Sequence, residues 1–365
     1  MEMLTYKRKL ILNKAQQSRI DSWIGACRVV YNLGLEVRIE AWKNKQERIH
    51  KFELMKQITE LRKGVEWIED VPVTSLQNSI DRLDNSYQKY FKGGGFPKWA
   101  SKREYKSITF KQDSYNVLRV TGNIINLHKI KKVKFFKDSE IIGEIKTATI
   151  IKEPTGYFVC IVTDAVKNIQ NKDDSQVVGL DMGLSHFCVD NKGNFIANPR
   201  HFAKYERQLR IENRSLARKK KGSNSWRRQV KKLALLHHKI ANVRNDFLHK
   251  ESTKLAKLYH TVYMEDLNVQ GMVKNKNLSK HILDAGWGMF GTMIAYKTNR
   301  VVVNPAYTSQ QCNVCGHTEK GNRKSQSEFE CLKCGHKDNA DINASKNIRG
   351  KGIAKNRQRG TLVRA

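Results

Sequence analysis

Apolar residues recur at helical spacing through the first ninety positions. Ile20, Trp23, Ile24, Cys27, Tyr31, Leu35, Ile39 and Trp42 fall on one stripe of a three-to-four-residue period. That helix has a start signal, Asn13 followed three residues later by Gln16, a capping-box pattern. Ahead of it, Leu10-Ile11-Leu12 closes a stretch expected to form one strand. Further helices are expected around Phe52–Leu61 and Val73–Phe91. The second carries Leu76, Ile80, Leu83, Tyr87 and Phe91 on one face and stops at Gly93-Gly94-Gly95.

From about Ile108 to Thr163 the pattern changes to short β-rich runs broken by turns. Val117–Val120, Ile124–Leu127, Thr147–Ile151 and Tyr157–Val162 read as strands, with Thr121-Gly122-Asn123 as a turn. These predict a small β-barrel that the first strand joins. The polar stretch Lys167–Ser175 reads as a linker. Beyond it, Val177–Asp181 is an apolar strand ending in an acid. Phe187–Asp190 and Phe195–Ala197 form a hairpin around Asn191-Lys192-Gly193-Asn194. Residues 202–260 read as helical and intensely basic. Thr261–Met264 is a second buried strand, followed by Glu265-Asp266, and Val301–Val303 is a third. The tail after Ile348 is basic, contains glycine and reads as disordered.

Charge changes the picture most. The 365 residues hold 68 Lys and Arg against 35 Asp and Glu, a formal net charge of +33. Such an excess repels itself in the compact state and calls for a polyanionic partner. Nucleic acid is the first candidate, with binding that weakens steeply in salt; an anionic membrane surface is the alternative. No apolar run approaches the ~18 residues of a membrane helix, and the N-terminus MEMLTYKRKL lacks the apolar core of a signal peptide. Seven cysteines are present. Cys27, Cys160 and Cys188 lie in apolar surroundings, as buried free thiols of a reducing cytosol do. A cytoplasmic, nucleoid-associated protein is expected.

The other four cysteines form two pairs, Cys312/Cys315 and Cys331/Cys334, fifteen residues apart and each continuing into Gly-His. Two such knuckles aim four thiolates at one ion, which predicts a structural Zn²⁺ ribbon. A disulfide pair or a catalytic zinc is the alternative, and His317 and His336 are reserve ligands. The acids are less conspicuous. Asp181 and Glu265 both end buried strands, and Asp341 lies at a helix start. Three carboxylates so carried suit two Mg²⁺ ions ~3.5–4 Å apart, which stabilise the attacking water and leaving oxygen of a phosphodiester. Acids also end strands simply as turn residues or helix caps, and spacing alone does not separate the two readings.

Four segments carry a family resemblance: Gly179-Leu180-Asp181-Met182-Gly183-Leu184, Met264-Glu265-Asp266-Leu267-Asn268-Val269, Tyr307-Thr308-Ser309-Gln310-Gln311-Cys312 and Asn339-Ala340-Asp341-Ile342-Asn343-Ala344. Together they resemble TnpB, the transposon-encoded RNA-guided nucleases related to type V CRISPR effectors. The resemblance extends over essentially the whole chain and is most specific in its C-terminal half. It implies a multidomain α+β protein. A helical recognition lobe (13–92) is inserted in a β-barrel wedge domain (1–12 and 93–172). An RNase H-like, RuvC-type nuclease domain (173–311 and 338–365) follows, with an inserted zinc ribbon (312–337).

What the resemblance implies for chemistry is hydrolysis of DNA beside a short transposon-associated motif. Asp181, Glu265 and Asp341 would bind Mg²⁺, a metal-activated water would attack, and 5′-phosphate and 3′-hydroxyl ends would result. The implied partners are a transposon-derived guide RNA and double-stranded target DNA, with no membrane and an open oligomeric state. Two alternatives stand beside it, a nuclease-inactive RNA-guided DNA-binding repressor and a strand-joining transposase.

Two departures from the family pattern bear on activity. Ala340 stands where many members carry an arginine before the third acid, which removes a phosphate-facing cation. The passage Ala295–Val301 is several residues shorter than usual, either an ordinary trim or a displacement of the third strand.

Several residues are candidate nucleic-acid contacts. Arg218, Lys219 and Lys220, with Arg227 and Arg228 beyond Trp226, suit the backbone of a guide–target duplex. Trp99 with Lys102 and Arg103 suits stacking plus phosphate contact, or Trp99 packs on the barrel. Gln77 and Asn78 match a polar pair that could read base edges of the adjacent motif.

Overall fold

Asn13 starts the first long helix by the reciprocal bonding that its sequence predicts. Its Oδ1 accepts from the Gln16 backbone N–H at 2.8 Å, and Gln16 Oε1 accepts from the Asn13 N–H at 3.1 Å. Such a cap contributes about 1 kcal/mol. The computed structural model describes residues 3–112, 118–165, 173 and 175–363, and the chain divides into units 1–167 and 168–365.

The first unit runs β1 (Leu4–Ile11), α1 (Lys14–Lys45), α2 (Lys51–Gly64), α3 (Glu66–Glu69), α4 (Val73–Phe91), β2 (Ser107–Lys111), β3 (Arg119–Thr121), β4 (Ile124–Leu127), β5 (Lys131–Phe135), β6 (Ile145–Glu153) and β7 (Gly156–Thr163). The strands form one antiparallel sheet in the order β2-β6-β7-β1-β5-β4-β3. β1 lies at its centre, pairing β7 from Leu4 to Lys9 and β5 at Leu10 and Ile11. The first strand therefore joins the later ones, as expected. β2 and β3 are the outer strands, and no backbone pairing between them closes a barrel among the described residues.

Helices and sheet share one core, in which Trp23, Leu35, Leu76 and Ile80 meet Phe110, Ile125 and Val159. α1 outlasts that core: its buried stripe ends at Leu35, and Trp42 is exposed. Polar bonds add to the docking of α4. Ser75 donates to the Thr109 carbonyl at 2.8 Å, and Arg82 donates to Thr109 Oγ1 at 2.9 Å. The linker expected at Lys167–Ser175 lies mostly outside the described residues, as does Val117, the first residue of an expected strand.

The second unit runs β8 (Val177–Met182), β9 (His186–Asp190), β10 (Phe195–Ala197), α5 (His201–Ala217), α6 (Asn224–Leu258), β11 (Thr261–Glu265), α7 (Val269–Met272), α8 (Ser279–Ala285), α9 (Trp287–Lys297), β12 (Asn299–Val303), β13 (Glu328–Glu330), β14 (Lys337–Asn339) and α10 (Ala340–Val363). Its main sheet has the order β10-β9-β8-β11-β12. β9 is antiparallel to β8 and β10, and β11 is parallel to both β8 and β12. A mixed sheet with helices packed on it is consistent with the RuvC-like domain expected from the sequence.

Strand alternation sets the two faces. Val178, Leu180, Val262 and Met264 enter a core with Leu248, Leu255, Phe290 and Ile294. On the opposite face Tyr263, Val301 and Val303 pack with Ile348 of α10. Gly179 is also on that face, and a Cβ there would come within 2.3 Å of the Ser345 carbonyl oxygen and 2.7 Å of the Arg349 nitrogen. Only glycine lets the helix lie this close to β8.

The short passage before the third strand does not displace it. Thr298, extended at φ −154°, is the sole residue between α9 and β12. It donates through Oγ1 to the carbonyls of Tyr259 and His260 at 3.0 and 2.7 Å. β12 then pairs with β11 over all five residues, from Thr261/Asn299 to Glu265/Val303.

The segment after Ile348 differs from the disorder its composition predicts: α10 continues to Val363. Lys351 and Lys355 donate to the carbonyls of Ala306 and Val302 at 2.6 and 2.8 Å, and Asn356 donates to the Tyr263 hydroxyl at 3.1 Å. Gly352 sits against the Tyr263 ring, where a Cβ would approach to 2.1 Å. The lysines there satisfy carbonyls of β12 and the loop after it, and the glycine permits close contact; composition by itself shows neither.

The basic region 202–260 is two helices, α5 and α6, joined through residues 218–223. They pack through Leu209, Leu236 and Ile240. Among the described residues no helix is long and apolar enough to cross a membrane.

Candidate metal centres and nucleic-acid surface

Asp181 and Glu265 stand beside each other because their strands do. β8 and β11 pair in parallel up to Leu180 and Met264, and the two acids follow one position later. Both alternate onto the face covered by α10. That helix begins at Ala340, with Asn339 Oδ1 accepting from the backbone N–H of Asp341 at 3.0 Å and of Ile342 at 3.3 Å. Its first turn carries Asp341. The three acids predicted from the sequence are thus gathered at the C-terminal ends of two neighbouring strands.

The electrostatics show repulsion at Asp181. Burial raises Asp181 to about 8, and the negative charges of Glu265 and Asp341 push the same way, while Arg323 opposes them. Burial also raises Glu265, against a hydrogen bond from the Thr308 hydroxyl and the charge of Lys351. Arg323 Nη2 donates to Asp341 Oδ1 at 3.1 Å. The carboxylates do not crowd into one tight cage: among the described residues, only the four cysteines have ligand atoms all within 4.8 Å of one another. Hard oxygen donors, spaced more widely and with Asp181 opposed by its neighbours' charge, are a donor set that divalent cations would relieve.

Cys312, Cys315, Cys331 and Cys334 form that tight group. Cys312 and Cys334 Sγ lie 3.8 Å apart, and Cys315 and Cys331 Sγ 3.6 Å. Tetrahedral thiolates ~2.3 Å from a zinc ion stand about 3.8 Å apart, so the residues fit the ion. The knuckles repeat each other bond for bond. Gly316 and Gly335, at φ 74° and 71°, donate to the carbonyls of Cys312 and Cys331 at 3.0 and 2.9 Å. The Cys312 and Cys331 N–H groups each donate, at 2.9 Å, to the carbonyl of the histidine that follows. His317 pairs with Glu319, and His336 lies beside Asn313 and Asp338. α10 holds the ribbon's first strand of chain: Asn343 and Asn347 both donate to the Gln311 carbonyl, at 2.8 and 2.6 Å.

Comparison with known proteins now has a geometry to meet. A family model described as "Probable transposase" (OrfB_IS605) matches residues 159–276, a Cas12f1-like TNB domain model matches 287–348, and a helix-turn-helix model matches 1–47. In this chain that last span is one strand and one long helix. InsQ of Escherichia coli K12, named as a proposed RNA-guided DNA endonuclease, is 30% identical over 96% of this chain and 92% of its own length. The chain belongs to the TnpB family.

A second TnpB-type relative, from Streptomyces pristinaespiralis and with the same kind of name, is 26% identical over 96% of this chain and 89% of its own. The CRISPR-associated endodeoxyribonuclease Cas12f1 of Sulfoacidibacillus thermotolerans is 28% identical over 48% of this chain and 46% of its own. Among solved structures, CasPhi-2 bound to crRNA matches 97% of this chain and 98% of its own, at 11% identity and a TM-score of 0.48.

Of the nucleic-acid contacts expected from the TnpB resemblance, most are on the surface. Arg218 and Lys220 are exposed and Lys219 is half-buried, all in the turn between α5 and α6; Arg227 and Arg228 are exposed in the first turns of α6. Trp99 is 52% exposed rather than packed away, and Lys102 and Arg103 are exposed. Gln77 and Asn78 are half-buried on α4, and Asn78 Oδ1 is already bonded by Arg82 Nε at 3.0 Å.

Sequence reading missed three residues at the acids: Thr308, Arg323 and Lys351. Thr308 lies inside a family segment and was within reach of inspection. Arg323 and Lys351 carry no spacing signal, because each arrives from a loop or helix turn that only folding brings near. Of the remaining thiols, Cys27 and Cys188 are buried as expected and Cys160 is only half-buried; burial pushes Cys27 up to about 11.

Proposed function

We propose that this protein is an RNA-guided DNA endonuclease of an insertion-sequence transposon, using Asp181, Glu265 and Asp341 to hold two Mg²⁺ ions. The observation that carries the reading is the convergence of three carboxylates from β8, β11 and α10 on one sheet end. The names of its full-length relatives supply the guide RNA and the DNA substrate. Bound divalent ions would supply charge stabilisation to the attacking and leaving oxygens of a phosphodiester. The chain's own part is to aim the acids: Thr308 orients Glu265, Asn339 fixes the helix start that carries Asp341, and Gly179 sets the approach of α10 to β8.

The four cysteines would hold Zn²⁺ and order residues 312–337. Residues 13–92 would serve as recognition lobe, 1–12 with 93–172 as wedge, and 173–311 with 338–365 as nuclease domain. Arg218, Lys219, Lys220, Arg227 and Arg228 would contact the backbone of the guide–target duplex, and Trp99, Lys102 and Arg103 single-stranded nucleotides. Gln77 is the better candidate of its pair for reading a base edge, since Asn78 would first have to release Arg82. The full-register pairing of β12 with β11 favours this reading over a guided binder that has lost cleavage.

The test is in two steps. RNA that copurifies with the protein is sequenced, and a discrete transposon-end transcript is expected. The reconstituted complex is then given plasmid bearing a matching target and Mg²⁺. Wild type should linearise it, and Asp181→Ala should bind but not cut. Cleavage by that variant at the wild-type rate would remove the site assignment.

A further inference from the structure

We propose that the cavity beside the turn from β8 to β9 takes one unstacked base of the DNA strand being cut, and favours a base that carries an amino group. The proposal rests on the reading of this protein as a DNA endonuclease and adds a base-recognising subsite to it. The cavity measures about 290 Å³ and is lined from the β8–β9 turn, the segment between β10 and α5, and α8 with its N-cap Leu278. Its place follows from the chain. Ser185, on the lining, is four residues past Asp181, at most ~14 Å along an extended backbone. Its Oγ accepts from Gln326 Nε2 at 3.0 Å, and the Gln326 carbonyl accepts from Arg323, which is bonded to Asp341. A strand with one phosphate at the acids therefore reaches the cavity within about four nucleotides, at ~3.4 Å each.

The lining divides by chemistry. Leu184 and Leu278 give apolar surface, which suits the flat faces of a base. Asp284 is the buried acceptor, with a side chain only 8% exposed. Its Oδ2 accepts from the Phe202 backbone N–H at 2.8 Å. Oδ1 faces Arg244 Nη2 at 3.3 Å without forming a hydrogen bond, so one buried carboxylate oxygen is still open to a donor. The exocyclic amino group of adenine, cytosine or guanine is such a donor, and acidic side chains accept from cytosine N4 in duplex recognition in the same way. Thymine offers only its N3–H, flanked by two carbonyl oxygens that the carboxylate would repel.

The rim supplies partners for a phosphate. Arg200 and His281 are exposed there, and the backbone fixes where Arg200 stands. Its φ of 47° is left-handed, and its N–H donates to Asn198 Oδ1 at 3.2 Å. Asn198 Nδ2 donates in turn to the Leu184 carbonyl at 2.9 Å, so this amide is engaged at both ends and ties the two loops together. A non-glycine residue in that conformation is strained and persists where its surroundings hold it. An acceptor within, apolar surface beside it and a cation at the mouth match the base and phosphate of one nucleotide. In a strand displaced by the guide the base is already unpaired, so its entry costs less than flipping from a duplex.

The experiment uses the guide-loaded full chain and a matching target. The displaced strand carries either adenine or purine, which lacks the amino group, at each of about four positions on both sides of the mapped cut. That strand does not pair with the guide, so guide pairing is untouched. Wild type should cut the purine strand about tenfold more slowly at one fixed offset from the cut, the size of one lost base contact. Asp284→Ala should cut both strands at one rate, while Arg200→Ala should slow both and keep their ratio. Equal cutting by wild type at every offset overturns the proposal, whether or not the variants fold. A tenfold ratio that survives in Asp284→Ala overturns it too, and an unchanged rate in Arg200→Ala overturns the phosphate contact. Failure of wild type to cut the unmodified target would instead remove the endonuclease reading, and the subsite with it.

Discussion

The Thr308 hydroxyl donates to Glu265 Oε1, and the same residue's backbone carbonyl accepts from Asn347 of α10 at 2.9 Å. One threonine thereby links the second strand-borne acid to the helix that carries the third. Thr308→Val keeps the shape and removes the donor. A hydrogen bond to a charged group is worth about 1.5 kcal/mol or more, so cleavage near pH 7 should fall about tenfold. Without its donor Glu265 ionises less readily, and the deficit should shrink as pH rises. A rate profile measured against pH checks both parts; a deficit that does not change with pH would point to misplacement of the strand instead.

Asp181 also predicts a pH effect on stability in the metal-free chain. Its folded value, about 8, lies above the ordinary 3.8 of an aspartate. The folded state therefore holds the proton more tightly than the unfolded one, and stability declines as pH rises from about 4 to about 8. Asp181→Asn should remove that decline, giving a melting temperature that exceeds wild type by more at pH 8 than at pH 5. Saturating Mg²⁺ should narrow the gap by stabilising wild type alone.

Gly179→Ala tests the approach of α10 to β8. The added methyl would stand 2.3 Å from the Ser345 carbonyl oxygen, which is backbone and cannot swing aside. Overpacking of this kind costs about 1–3 kcal/mol. Urea unfolding should show that loss, together with loss of cleavage as Asp341 moves away from Asp181.

Removal of zinc should loosen residues 312–340 in particular. Their own core is only Cys312, Phe329, Cys331 and Ala340, too small to hold a fold without the ion. One zinc per chain is expected, and after chelation limited proteolysis should cut within this span first. Resistance equal to that of the zinc-loaded protein would contradict a structural role.

Replacing Arg218, Lys219 and Lys220 together by alanine should weaken guide-RNA binding without altering its sequence preference. Each lost phosphate contact removes counterion release. The slope of log affinity against log salt should therefore flatten by about 2. An unchanged slope would place these residues off the nucleic-acid path.

Legibility varied with how local the signal was. Val73–Phe91 was read to its end residues, because its apolar period and the glycines after it state the helix outright. The cysteine knuckles were equally plain. The tail after Ile348 reads as disorder by composition, yet Lys351 and Lys355 bond carbonyls there and Gly352 clears the Tyr263 ring. Asn78 looked available but is bonded to Arg82, a relation no spacing shows. Trp99 offers two readings in sequence, and its 52% exposure counts against packing on the barrel.

By itself the sequence determined the elements and the kinds of chemistry: which runs are strands, that Asp181 and Glu265 end two of them, that four thiolates match one ion, and that +33 of charge needs a polyanion. These follow from local periodicity, residue type and composition. Only the tertiary structure decided which groups meet. Parallel pairing of β8 with β11 set Asp181 beside Glu265, and the close approach allowed by Gly179 brought Asp341 to them. The ribbon's fold then delivered Arg323 to Asp341. Contacts between residues eighteen to one hundred and seventy positions apart arise from packing and register, which no short stretch of sequence encodes.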